Sequence, residues 1–533
     1  MSDPSPSIQK EERAGAFFSR EAVGGVPWML AGKIVLFFVY FAVSMLTVNG
    51  LGQEQFGIYS LMMNISSYLL VLCGLGLGSA LMRYIPELAL RKNRVGLLRL
   101  MGQSITLQFM AVLVISAAVL AFCEPLQRLF HAEHVEHFRL YLKLACGLTA
   151  LWLLKDFVGT VFTSLYKTRM VAMLSVAHGL GWLILLLVWR YYKPEVGAAF
   201  FVQMLSVGLI YLLGIVLLFK HVCGLPWSTH ERGIGRRRTL SFSASVMLST
   251  MLRMVMFKYS EVFFIAAVGG TTLAGIYDLG YSIPYAAVTF LPLALLPIFT
   301  SAFAEAYMRD PRCFSKLISS YYKLLMMVSL PFGIFGAFFA KAAYHVLYAG
   351  RMDAAGELAA AFCVVLLLPL ISMPLSAAIK AKEKVLKMVP MLLLQIVVNL
   401  VLDWLLIVYF RWGVWGGIGA VVGTFVLTIP FRMRVVRGLL GGIYFPVRFF
   451  LRITGTLVLL AWAIRAVCTP FDLLRLSDLP WVNMGLLVLI GAVYLVLFIL
   501  SIRYLRLIRE EDVEDFRALE IDPLNRVLCF LVR

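Results

Sequence analysis

Charge is scarce in this chain: only 14% of its 533 residues are Asp, Glu, Lys or Arg. A soluble domain carries about 25%, so a water-soluble globular protein is excluded. Long polar stretches are scarce as well. The longest are the first 26 residues, the segment around Lys220 to Thr239 and the tail after Arg503, none with room for a soluble catalytic domain. The eight cysteines form no CxxC pair, which leaves neither a disulfide framework nor a zinc site and makes them small apolar fillers. A nucleotide-binding loop is missing too. Ile34 follows Gly32-Lys33 where Ser or Thr is needed, and six residues rather than four separate Gly25 from Gly32. ATP-driven export and any cofactor are therefore not expected. The polar N-terminus shows no short apolar core followed by a small-residue cleavage site, so the first span is expected to act as an uncleaved signal anchor.

What the chain does have is hydrocarbon: 61% hydrophobic residues and a mean hydropathy of +0.88. Its apolar runs predict an all-α integral membrane protein with about fourteen spans, at 28–48, 57–82, 101–123, 139–165, 171–190, 198–219, 241–268, 277–300, 317–341, 356–379, 388–410, 414–431, 449–467 and 482–502. With the N-terminus inside, about 32 Lys and Arg fall on the cytoplasmic side and about 7 outside. The positive-inside rule then predicts cytoplasmic N and C termini. The same distribution explains the net charge of +19 without nucleic acid, because the cations are dispersed over short loops.

A repeat is visible. Leu51-Gly52 and Gly57-Ile58-Tyr59 recur 218 residues later as Gly269-Gly270 and Gly275-Ile276-Tyr277, each time between the first and second spans of a six-span block. Six is even, so both blocks start inside and the halves are predicted to be parallel repeats about an axis along the membrane normal. The expected organisation is a cytoplasmic segment 1–27, an N-lobe 28–221, an interlobe loop 222–240, a C-lobe 241–436, two further helices within 437–503 and a cytoplasmic tail 504–533, with a cavity between the lobes.

Charges inside the spans are the candidate functional residues. A cation at the centre of a lipid-facing helix costs roughly 2.5 to 3.5 kcal/mol, so Lys155, Arg253 and Lys258 are expected to face a cavity, a counter-ion or an anionic cargo. Lys33 and Lys323 lie five or six residues into their spans, where snorkelling to the cytoplasm is a sufficient alternative. Lys258 and Glu261 are three apart and near one helix face, able to pair. Lys155 and Asp156 are adjacent and diverge by about 100°, so each needs a partner elsewhere. Asp156, and Asp403 with Asn399 at i and i+4, are candidates for ion coupling or for static ion pairs. Pro284, Pro292, Pro297, Pro331, Pro369 and Pro374 are hinge candidates. His131, His134 and His137 fit an interfacial turn better than a metal site, and no metal is expected.

Two segments carry a resemblance. Leu51-Gly-Gln-Glu-Gln-Phe-Gly-Ile-Tyr59 followed by Gly74-Leu-Gly-Leu-Gly-Ser-Ala-Leu-Met-Arg-Tyr84 resembles the N-terminal signature of the Wzx-type oligosaccharide and polysaccharide flippases, within the multidrug/oligosaccharidyl-lipid/polysaccharide exporter superfamily. Ala381-Lys-Glu-Lys, Asn399-Leu-Val-Leu-Asp403 and Gly413-Val-Trp-Gly-Gly-Ile-Gly-Ala-Val-Val-Gly-Thr424 are similar to that family's eleventh and twelfth helices, with Asp403 where a second Asn is expected. The resemblance implies two six-helix lobes around a central cavity. It also implies alternating-access transfer of a polyprenyl-pyrophosphate-linked oligosaccharide across the bacterial inner membrane, so the protein is expected to be a transporter and not an enzyme. Arg253, Lys258, Lys155, Lys33 and Arg83 would form the basic cavity. Expected partners are the lipid-linked glycan, membrane lipids, other polysaccharide-assembly membrane proteins and H⁺ or Na⁺ as coupling ion, with no nucleic acid. A membrane-embedded glycan polymerase or ligase, a lipid II flippase and a multidrug antiporter remain open alternatives.

Overall fold

A computed structural model describes residues 6–504 except 193–194, 226–234, 255–259, 310–312, 383–384, 443 and 470–479, together with 508; side chains are described from Ala31 onwards, apart from a number within 236–314 and a few others. Every regular element among the described residues is helical. Twelve helices are long and apolar enough to cross a membrane. The chain divides into two compact units, Met1–Met254 and Val255–Arg533.

The first unit contains α1 (Pro6–Gly74), α2 (Leu77–Leu90), α3 (Arg94–Ala121), α4 (Cys123–Leu129), α5 (Phe138–Ser164), α6 (Thr168–Tyr192), α7 (Val196–Cys223) and α8 (Arg236–Met254). The 44 residues Ala31–Gly74 would extend about 66 Å as one straight rod, twice the hydrocarbon thickness of about 30 Å. They do not run straight. Gly208 of α7 faces Leu151 of α5 and Gly214 faces Val158, so α7 and α5 are parallel; Gly214 also faces Leu174 while Gly181 faces Ser206, so α6 opposes them. The first limb of α1 follows α6, with Gly32 beside Ala172 and Leu36 beside Gly179. The second limb follows α5, with Ser66 bonded to the Ala145 carbonyl and Gly74 against Leu153. The chain therefore reverses in between, at Gly52, whose φ of 73° and ψ of 177° is a conformation open essentially to glycine alone.

The second unit contains α9 (Ser260–Arg309), α10 (Cys313–Tyr348), α11 (Asp353–Val365), α12 (Leu367–Leu370), α13 (Met373–Ala381), α14 (Val389–Asp403), α15 (Val414–Leu440), α16 (Val447–Cys468) and α17 (Pro480–Tyr504). Within α9, Gly270 has φ 81° and ψ 175°, the conformation of Gly52 at the same offset of 218 residues as the sequence repeat. Ser260 lies beside Asn399, whereas Tyr277 lies against Gly417, whose neighbour Gly416 meets Leu406. Seventeen residues of straight helix would climb about 25 Å, but these contacts lie only about seven residues apart along the α14 strand of chain. The direction changes at Gly270. The twelve apolar helices, two of them reversing at a glycine, are roughly consistent with the about fourteen spans read from the sequence.

Two breaks serve the packing. α1 ends at Gly74, and Gly76, at φ 67°, restarts the helix as α2; a Cβ there would overlap the Ser243 carbonyl oxygen of α8. That close approach packs α8 against α2 within the first unit. The tenth span is broken into α11, α12 and α13 around Pro369 and Pro374, and the freed carbonyls are captured: Tyr322 Oη donates to Ile371 O at 2.6 Å and Ser372 Oγ to Pro369 O at 2.7 Å. Pro284, Pro292 and Pro297 lie inside α9 and Pro331 inside α10 without interrupting either helix, so of the six proline positions only Pro369 and Pro374 mark a discontinuity.

The core of the first unit gathers Tyr84, Phe157, Phe162 and Tyr211, and that of the second gathers Tyr321, Ile453 and Tyr494, which docks α16 and α17 onto α10. Outer faces stay apolar without being covered, as at Leu459, Trp462 and Val488. Such faces suit a lipid solvent.

Candidate functional site

A buried polar cluster sits where α9 begins beside α14. Glu261, Asn399 and Asp403 are all 0% exposed, and Ser260 is 7%. Asn399 Nδ2 donates to Glu261 Oε1 at 3.3 Å. The Ser260 hydroxyl lies 3.2 Å from Asn399 Oδ1 and 3.3 Å from Glu261 Oε2, one proton facing two acceptors. Asp403 follows Asn399 by one helical turn, on the same face, at the point where α14 passes into a π-helical turn, Trp404–Tyr409. Both Asp403 carboxyl oxygens and the Tyr277 hydroxyl are buried and lack a hydrogen-bond partner among the described residues. Tyr277 is within electrostatic range of both acids. It reaches this position because α15 presents Gly417, where a Cβ would lie 2.9 Å from its ring.

Two carboxyl groups held in one dry site cannot both stay ionised cheaply. The arrangement calls for a positive charge: a proton on one acid, or a small hard cation among carboxylate, amide and hydroxyl oxygens. Asn399 and Asp403 thus do share a face as the sequence predicts, and Glu261 joins them from another helix. Lys258, expected to pair with Glu261, lies outside the described residues. Arg253 lies in α8, with its side chain outside them.

In the first unit Lys155 and Asp156 form no close salt bridge, though each lies within electrostatic range of the other. Lys155 is half-buried, within electrostatic range of His178. His178 is 2% exposed, stacked on Trp182 at 6.1 Å and edge-on to Tyr211 at 5.9 Å, and neither ring nitrogen has a hydrogen-bond partner among the described residues. Asp156 lines a separate cavity of about 220 Å³.

The other cations are dispersed. Lys33 is exposed on the first limb of α1, and Lys323 is 8% exposed in α10. Arg83 is exposed, its guanidinium 5.5 Å from the Phe242 ring, next to Arg238, which stacks on Tyr84 at 5.3 Å and lies 3.7 Å from Glu87. His134 lies in the 131–137 turn, 3.7 Å from Glu54. The second unit holds a further cavity of about 310 Å³, almost wholly apolar, between α10, the broken tenth span and α16, with Tyr322, Met326, Leu330, Val364 and Val458 in its wall. Ser260, Tyr277 and His178 escaped the sequence reading. Tyr277 carried a signal, since it ends the second copy of the Gly-Ile-Tyr repeat; the other two are single polar residues with no pattern around them.

A family model described as polysaccharide biosynthesis protein matches residues 22–304, just over half the chain. No curated protein sequence matches the chain. Among solved structures, the lipid II flippase MurJ in an inward closed conformation is similar over 90% of this chain and 100% of its own, with TM-score 0.63 and 13% identity. An inward-facing multidrug resistance MATE family transporter is similar over 77% of this chain and 98% of its own, with TM-score 0.58 and 16% identity. A transporter of the same superfamily from Pyrococcus furiosus is similar over 79% and 96%, with TM-score 0.52 and 18% identity. At these identities the solved structures speak for the fold, and the family match speaks for the lineage. The chain belongs to the polysaccharide biosynthesis protein family and is a multi-pass helical membrane protein whose fold is similar to that of the multidrug/oligosaccharidyl-lipid/polysaccharide exporter superfamily.

Proposed function

We propose that the protein flips a polyprenyl-pyrophosphate-linked oligosaccharide across the bacterial inner membrane by alternating access, with both termini cytoplasmic. The observation that carries this reading is the polysaccharide biosynthesis match on a multi-pass helical fold. Cations inside the spans agree with it, because a pyrophosphate needs positive charge in an apolar setting: Lys155 is half-buried in the middle of α5, and Arg253, Lys258, Lys33 and Arg83 are the further candidates. The apolar cavity of about 310 Å³ is chemically suited to a segment of the prenyl chain. Coupling is assigned to Glu261, Asn399 and Asp403, which take up H⁺ or Na⁺ as cargo moves.

The test is glycan display and flipping together. Arg253→Ala/Lys258→Ala is expected to remain in the membrane while surface glycan and transfer of a lipid-linked oligosaccharide in proteoliposomes fall at least tenfold. Removing a contact worth about 1.4 kcal/mol produces that factor. Undiminished transfer by the double variant removes these two residues from the cargo site. Turnover of the lipid-linked sugar into longer chains would replace the flippase reading with a polymerase.

A further inference from the structure

We propose that the loop joining α14 to α15 is an anchor that docks on the phospholipid headgroups of one leaflet, with its aromatic rings at the interface and Arg411 at the phosphates. This goes beyond the cargo and coupling assignments. Only the choice of the outer leaflet rests on the proposed topology.

The segment Trp404-Leu-Leu-Ile-Val-Tyr-Phe-Arg-Trp-Gly-Val-Trp415 places five aromatic residues within twelve. None belongs to the core: Trp404, Tyr409, Phe410, Trp412 and Trp415 are 49% to 67% exposed. The backbone gathers them. Residues five apart on an α-helix project about 140° from one another, so Trp404 and Tyr409 would look in different directions. The π-helical turn Trp404–Tyr409, closed by Phe410 N donating to Leu405 O at 2.9 Å, brings residues five apart into register instead. The rings of Trp404 and Tyr409 stack at 6.1 Å, Tyr409 meets Phe410 edge-on at 5.1 Å, and Phe410 lies 6.0 Å from Trp412. Four rings thus form one chain on the outside of the helix end.

Three observations choose the occupant. The first is continuity with a lipid-facing surface: on α14, Leu393, Val397, Val401 and Trp404 are exposed at spacings of four, four and three, which is one helix face. Trp and Tyr at the end of such a stripe stand where a bilayer interface takes amphipathic rings. The second is charge. Arg411 is the one charged residue between Asp403 and Arg432, so the loop offers a cation and no acid, complementary to a phosphate. The third is the tightness of the turn. Arg411 and Gly413 take φ of 54° and 55°, and Trp412 N donates to Leu406 O at 3.0 Å, which closes the helix end with little backbone left to water. An oligosaccharide is the rival occupant, since sugar rings also pack on aromatic faces. Its hydroxyls need side-chain amides, carboxylates or aliphatic hydroxyls as partners, and the segment from Trp404 to Trp415 contains none. What the anchor holds is the helix end bearing Asp403, the residue just before the π-helical turn.

Spin-label depth measurements test this on the full-length protein, in a background whose native cysteines are replaced, reconstituted in vesicles of phosphatidylethanolamine and phosphatidylglycerol without cargo. Labels at Val401→Cys and Val414→Cys leave every ring and Arg411 in place. Relative access to oxygen and to a water-soluble nickel chelate is expected to put the 414 label at the headgroups and the 401 label on the order of 10 Å deeper. Tyr409→Leu/Trp412→Leu keeps the apolar area but removes the interfacial rings, and Arg411→Gln removes the charge; each should let the 414 label sink towards the bilayer centre. If these variants do not insert, the two depths in the otherwise unaltered chain decide alone. The inference is overturned if the 414 label is fully open to the chelate in water, if it lies at the bilayer centre, or if its depth is the same with and without the rings and the charge. A 414 label that reaches headgroup depth only when lipid-linked oligosaccharide is added would assign the surface to the glycan and overturn it too. The supporting readouts need neither cargo nor a direction of transfer, so they leave the flippase assignment to its own experiment.

Discussion

Asn399 is the residue on which the buried cluster of the second unit turns. It donates to Glu261 and faces the Ser260 hydroxyl, so a side chain without an amide would strand an acid at 0% exposure. Asn399→Leu is expected to destabilise the protein by about 1 to 3 kcal/mol, the cost of an unsatisfied buried polar group, measured as a lowered unfolding temperature in detergent. Asn399→Asp should instead place a third acid in the cluster and make activity more dependent on H⁺ or Na⁺, read as a shifted ion-response curve in proteoliposomes. Asn399 and Asp403 sharing one face was legible, because i and i+4 settle it. Their meeting with Glu261 was not, since 138 residues separate Asn399 from it and no local pattern encodes which helix packs where.

Among the elements, the two glycine reversals stand out. Gly52 and Gly270 adopt nearly the same backbone conformation, so the short repeat in the sequence is a repeat of turn geometry. Neither has a neighbour within 4 Å of the position a Cβ would take, which makes backbone strain, and not crowding, the reason for glycine at each. Gly52→Ala and Gly270→Ala should each cost about 1 to 3 kcal/mol, and the double variant about the sum, since the two sites share no partner; thermal melts of the three variants check this. Gly76→Ala differs in kind. Its Cβ would overlap the Ser243 carbonyl, so α2 and α8 must part. The prolines were the weaker guide to irregularity, because a membrane helix can carry a proline and remain a helix when neighbouring groups satisfy the freed carbonyl.

Over the whole molecule, the distribution of Lys and Arg carries the orientation. With about 32 on one side and about 7 on the other by sequence, both termini are expected in the cytoplasm. Single cysteines placed at Glu136 and Ala354 should react with an impermeant thiol reagent in intact cells, and cysteines at Lys92 and Arg434 only after permeabilisation, in a background whose native cysteines are replaced. The opposite pattern would invert the topology and with it the expected direction of transfer.

Hydropathy, the repeat and the charge bias were enough to read a fourteen-pass helical protein with a duplicated plan, because each depends on local composition or on turn residues whose backbone demand is intrinsic. Folding supplied everything that depends on which helix lies against which. Glycine at position 76 lets α8 approach α2 closely within the first unit. Glu261 acquires Asn399 as its partner. The physical reason is common to both: a close helix approach and a buried polar pair each join groups brought near by packing across long stretches of chain, which no window of sequence contains.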